Sequence, residues 1–136
     1  MKHKVLLIED NEQNRYLATF LLEKHGYAVV PSSDGPTGIA LAKAMNPALI
    51  LLDIQLPTMD GYAVARELRN DPALQNIPII AVTSYAMAGD REKSLASGCN
   101  GYLEKPINPD TFVTEIEKFL PPNQKGEQHD PNPDSR

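Results

Sequence analysis

Four polar groups in this 136-residue chain each stand directly after a short apolar run. Glu9, Asp10 and Asn11 follow 5–8 (VLLI), and Asp53 follows 49–52 (LILL). Thr83 and Ser84 follow 79–82 (IIAV), and Glu104, Lys105 and Pro106 follow 101–103 (GYL). Three carboxylates held close together (Glu9, Asp10 and Asp53) raise one another's pKa unless a cation intervenes. Oxygen ligands of this kind suit Mg²⁺, which takes one or two carboxylates and keeps waters for a substrate phosphate. With that charge offset, a phosphoryl group can approach a carboxylate. Asp53 can then attack phosphorus as a nucleophile and become an aspartyl phosphate. Lys105 supplies a point charge for the phosphoryl oxygens and Thr83 a hydroxyl donor. Catalysis of this sort is positioning and charge neutralisation.

Each residue alone also has an ordinary reading. Asp10 or Asn11 before a helix is a natural N-cap, and Thr83 or Ser84 can cap the next one. Lys105-Pro106 can be a turn with a solvated lysine. Asp53 is harder to dismiss, because an unpaired carboxylate at the end of a buried strand is costly. The coincidence of all four groups at strand ends favours the chemical reading.

Whether they converge depends on the elements that carry them. The apolar runs, with a further one at 28–30 (AVV), do not alternate with polar residues, so both faces of each strand are covered. Helical spacing fills the intervals. Leu17, Phe20 and Leu21 form a face ended by Gly26, and Ile39, Ala42 and Met45 form a second before Asn46-Pro47. Tyr62, Ala65, Arg66 and Leu68 make a third, ended near Asn70-Asp71-Pro72. A fourth helix around 91–96 stops at Gly98. Phe112, Val113, Ile116 and Leu120 stripe a fifth, stopped by Pro121-Pro122. Strand–helix repeated five times predicts an α/β domain, a doubly wound five-stranded parallel sheet with five helices. The flavodoxin-like strand order 2-1-3-4-5 places the crevice beyond the carboxyl ends of the strands. In that order strands 1, 3, 4 and 5 are neighbours, so the four groups meet at one edge. Strand 2 ends in Pro31-Ser32-Ser33 and offers nothing comparable.

The bulk composition sets limits. Lys plus Arg total 13 against 18 Asp plus Glu, a formal charge of −5. An acidic surface opposes nucleic-acid binding, which depends on Lys and Arg displacing counterions. Cys99 is the single cysteine, so no internal disulfide forms. The N-terminal apolar run has only four residues, too few for a signal peptide or a membrane span, and the expected location is the cytoplasm. The stretch 121–136 lacks apolar periodicity and holds four prolines, which predicts a disordered tail after a domain of 1–120.

VLLIEDN, LLDIQLPTMDG, AVTSYA and GYLEKPI, in this order, resemble the receiver domain of two-component signalling from about Lys4 to Leu120. The resemblance implies that Asp53 is the phosphoacceptor. It makes Asp10 a direct Mg²⁺ ligand with Asp53 and the backbone carbonyl of Gln55, and gives Glu9 a role through water. It also implies that Thr83 is the switch hydroxyl, Lys105 the phosphate-binding lysine and Lys105–Pro106 a cis bond. Tyr102 falls at the family's switch aromatic, though a core aromatic with a surface hydroxyl fits the same position. Gln55 and Tyr85 fall where the family tunes its dephosphorylation rate. The implied donor is a histidine kinase or histidine phosphotransfer protein. The implied output is a protein target on the face of helix 4, strand 5 and helix 5. DIQLP and AMAGDREKSLASGC are similar to single-domain regulators of the cell-cycle DivK type and to receivers of hybrid kinases. The start at Met1 and the polar end favour the free-standing kind. A flavodoxin-type carrier needs a Ser/Thr/Gly-rich loop where Glu9 and Asp10 stand. A phosphatase with an aspartate nucleophile carries a second Asp where this chain has Gln55. The expectation is therefore a stoichiometric acceptor with at most slow self-hydrolysis, not a turnover enzyme.

Overall fold

A computed structural model describes residues 2–84 and 89–121. The expected tail and Tyr85 lie outside the described residues, apart from Pro121. The strands are β1 (Lys4–Ile8), β2 (Ala28–Ser32), β3 (Leu49–Asp53), β4 (Ile79–Thr83) and β5 (Gly101–Glu104). Between and after them run α1 (Glu12–Lys24), α2 (Gly35–Met45), α3 (Gly61–Arg69), α4 (Asp90–Ala96) and α5 (Phe112–Glu117). All pairings are parallel and the order is β2-β1-β3-β4-β5. This is the doubly wound sheet that the sequence predicts. None of the described helices is long and apolar enough to cross a membrane.

Successive strand residues face opposite sides of a sheet, and here both sides are apolar. Leu6, Ile8, Ile50, Leu52, Ile79 and Ala81 face one core with Ala42 of α2 and Val64, Ala65 and Leu68 of α3. Val5, Leu7, Leu49, Leu51 and Ile80 face the other, with Ala18, Leu21 and Leu22 of α1 and Phe112, Val113 and Ile116 of α5. Within the second core the Tyr27 hydroxyl donates to Glu117 Oε2 at 2.5 Å, so a buried carboxylate has its partner. Pro31 lies in β2, at the sheet edge, where a missing N–H is tolerated.

Phe20 departs from the sequence reading. It is 53% exposed, and α1 buries Ala18, Leu21 and Leu22 instead. Small Ala18 lets the helix approach the sheet, which rotates the larger Phe20 outward.

One close approach matters for the site. The loop after β3 folds back so that the Gly61 N–H donates to the Ile54 carbonyl at 2.9 Å. A Cβ on Gly61 would sit 2.5 Å from Ile54 Cα and 2.6 Å from the Asp53 carbonyl oxygen. Both are backbone atoms that cannot swing aside. Gly61→Ala is expected to cost about 1–3 kcal/mol, the range for overpacking, read as a lower urea midpoint at unchanged m-value.

Candidate functional site

The strand ends bring the polar groups together in steps. The Glu9 N–H donates to the Ser32 carbonyl at 2.9 Å, extending the β1–β2 ladder one residue past the strand. That bond turns Glu9 inward, where it is 4% exposed. Asn11, rather than Asp10, caps α1: its side chain accepts the Asn14 N–H at 2.9 Å. Asp10 is exposed beside the site. Arg15, one turn into α1, donates to the carbonyls of Glu9 and Asp10 at 2.9 and 3.3 Å and so fixes the loop that carries both acids.

Asp53 is the last residue of β3 and is 4% exposed. Its Oδ1 accepts the Gln55 N–H at 2.9 Å, and its Oδ2 lies 3.2 Å from Lys105 Nζ. Lys105 follows β5 and also meets Glu9 Oε1 at 2.6 Å. Its backbone is held by a 2.7 Å bond from its N–H to the Thr83 carbonyl, and the Lys105–Pro106 bond is cis. Thr83, buried at the end of β4, accepts from Gln55 Nε2 at 2.6 Å. Tyr102 is half-buried in β5 and packs on the same core as Tyr62 and Met59.

Electrostatics follow from this crowding. Carboxylate oxygens of Glu9, Asp10 and Asp53 all lie within 4.8 Å of one another. Burial pushes the Asp53 carboxyl up to about 7, and the neighbouring Glu9 carboxyl adds to the rise. The Lys105 charge and the Gln55 N–H oppose it. For Lys105, burial acts to lower the pKa, but Glu9 and Asp53 outweigh it and the net direction is upward. Among the described residues, three carboxylates against the Lys105 ammonium leave a formal charge of two minus when all are ionised. A hard divalent cation is the complement to that donor set.

Sequence reasoning brought Glu9, Asp10, Asp53, Thr83 and Lys105 to one edge, and the structure places them there. It did not find Arg15 or the side-chain bridge of Gln55. Neither has a local sequence signal, since each depends on how a loop folds over a neighbouring strand.

The family model for the response regulator receiver domain matches residues 5–117. The chain belongs to that family. This receiver domain is 41% identical over 120 residues to the polar-differentiation response regulator DivK of Brucella ovis, covering 88% of this chain and 98% of DivK. Brucella abortus DivK matches equally. Among solved structures, Vibrio cholerae chemotaxis protein CheY4 is similar at 27% identity and a TM-score of 0.84, covering 88% of this chain and all of that one. The receiver domain of the sensor histidine kinase PA1611 from Pseudomonas aeruginosa is similar at 34% identity and a TM-score of 0.81. The match covers 88% of this receiver domain and 98% of that one, which holds magnesium in its active-site cleft.

The raised Asp53 pKa has a definite sign. The folded state holds this proton more tightly than the unfolded chain, whose value is near 3.8. The contribution of Asp53 to stability is therefore fully present below that value and is lost as pH rises through about 7. In metal-free buffer the melting temperature is expected to fall across this window, and Asp53→Asn to flatten the fall. A Mg²⁺ ion held on this carboxyl would compete with the same proton. Its affinity by calorimetry is expected to strengthen about tenfold per pH unit up to neutrality and then level off.

Proposed function

We propose that this receiver domain accepts a phosphoryl group on Asp53 from a histidine kinase or a histidine phosphotransfer protein. The observation that carries the reading is a buried aspartate at a strand end, paired with Lys105 and crowded by two further carboxylates. Asp10, Asp53 and the Gln55 backbone carbonyl are the proposed direct ligands of Mg²⁺, with Glu9 acting through water. When bound, the ion supplies the positive charge that offsets the acids and the incoming phosphoryl oxygens.

The chain's own residues do the rest. An Asp53 oxygen forms a bond to phosphorus as the bond to the donor nitrogen breaks, and that nitrogen keeps the electron pair. Lys105, already 3.2 Å from Asp53, stays as the cation facing the new phosphoryl oxygens. Thr83 supplies the hydroxyl that reports their arrival. A stoichiometric acceptor with slow self-hydrolysis fits a site with Gln55 where a phosphatase would carry its general acid.

In this reading Thr83 and Tyr102 carry the signal outward. Tyr102 lines a groove of about 630 Å³ with Arg91 and Glu92 of α4, Glu104 of β5 and Glu115 of α5. A change at Tyr102 therefore reshapes the face proposed to meet the downstream protein, and a partner that prefers one shape shifts the population.

Intact-mass spectrometry after incubation with acetyl phosphate and Mg²⁺ tests the acceptor. Wild type is expected to gain one phosphoryl group, and neither Asp53→Asn nor a metal-free sample to gain any. Gain by Asp53→Asn with the same base-labile behaviour would remove Asp53 from its role. Lys105→Ala is expected to lose the phosphorylation-dependent change at Tyr102, read by NMR, and retention of the full change would remove Lys105 from the coupling.

A further inference from the structure

The acceptor reading gives the Gln55 side chain no contact to make, yet that side chain spans two strand ends. The Gln55 N–H donates to Asp53 Oδ1 at 2.9 Å, while its amide reaches across to β4. There Nε2 donates to Thr83 Oγ1 at 2.6 Å and Oε1 accepts the Ser84 N–H at 3.2 Å. One residue thus touches both the acceptor carboxylate and the hydroxyl that responds to it.

These three groups determine one another's protons. A backbone N–H can only donate, so Ser84 requires the amide oxygen on its side. The amide NH₂ then faces Thr83, and the Thr83 oxygen must accept. A hydroxyl has one proton and two lone pairs. With a lone pair committed to Gln55, the Thr83 proton is directed away from Gln55 toward a different acceptor. Phosphoryl oxygens are acceptors only, so a hydroxyl is useful to them only as a donor. Were residue 55 an acceptor on this side, it would compete for the Thr83 proton.

We propose that the Gln55 side chain is a positioning residue that orients the Thr83 hydroxyl as a donor to the phosphoryl group on Asp53. The proposal rests on the acceptor reading and deepens it: Gln55 decides how much of each phosphorylation event Thr83 transmits. Residue 55 is exposed, so its replacement leaves the two cores intact. Three substitutions separate the requirements. Gln55→Lys keeps a donor toward Thr83, Gln55→Met keeps no donor and only a weak thioether acceptor, and Gln55→Glu presents only acceptors.

The experiment uses the full chain with Mg²⁺ and acetyl phosphate. Intact mass gives the phosphorylated fraction, and amide spectra of the same sample give the shift at Tyr102 per phosphorylated molecule. Gln55→Met and Gln55→Glu are expected to reduce that normalised response several-fold, and Gln55→Lys to retain most of it. In a Thr83→Ala background, Gln55→Met is expected to bring no further loss. A wild-type or larger response in Gln55→Met overturns the proposal, a larger one identifying Gln55 as a restraint on Thr83. A further loss in the Thr83→Ala background also overturns it, because Gln55 would then act through another group. Absence of phosphoryl gain in wild type overturns the acceptor reading itself, and this proposal with it.

Discussion

The structure depends on keeping like charges buried beside one another. Glu9 and Asp53 are each 4% exposed, and the Lys105 ammonium meets both. Two carboxylates so far from water would be strongly disfavoured without that cation, and even with it Asp53 holds its proton up to about 7. An exposed aspartate would be well solvated when ionised and would gain little from a further cation. The buried one is incompletely compensated when ionised, leaving negative charge that a further cation would offset.

Holding this arrangement requires rigid supports, and the parallel sheet provides them. The central strands are paired on both sides up to the residues that end them. Asp53 pairs in register with Val82, and Thr83 with Glu104, so the functional groups issue from adjacent, locked backbones. The loops beyond are tied down as well. Arg15 clamps the carbonyls of Glu9 and Asp10, and Gly61 lets the loop after Asp53 fold tightly back. The site is therefore built from strand termini and short pinned turns, which hold its side chains in fixed positions.

The same few residues also link the site to the outer face. Gln55 touches Asp53 with its backbone and Thr83 with its side chain, and Lys105 reaches Asp53 while its N–H is held by the Thr83 carbonyl. Thr83 and Tyr102 lie on neighbouring strands, and Tyr102 borders the groove between α4 and α5. Asp53 is thus connected to that outer face through contiguous strand ends.

Much of this was legible in the residues themselves. The unalternating runs at 5–8, 49–52 and 79–82 require strands covered on both faces, and their spacing with five helical stretches leaves a doubly wound sheet. Once the order 2-1-3-4-5 is set, the residues that follow each run must meet, which is why Glu9, Asp10, Asp53, Thr83 and Lys105 could be named from type and position. Periodicity is a property of neighbouring residues, so it survives without coordinates. It failed at Phe20, where the packing of Ala18 against the sheet set the rotation of α1. It could not assign the cap to Asn11 over Asp10, since both side chains are competent and only the turn of the loop decides. Nor could it show Arg15 reaching back to two carbonyls, or the Gln55 amide bridging to β4 across 28 residues. Those contacts come from loop conformations and side-chain reach between elements distant in sequence, and only the folded chain fixes them.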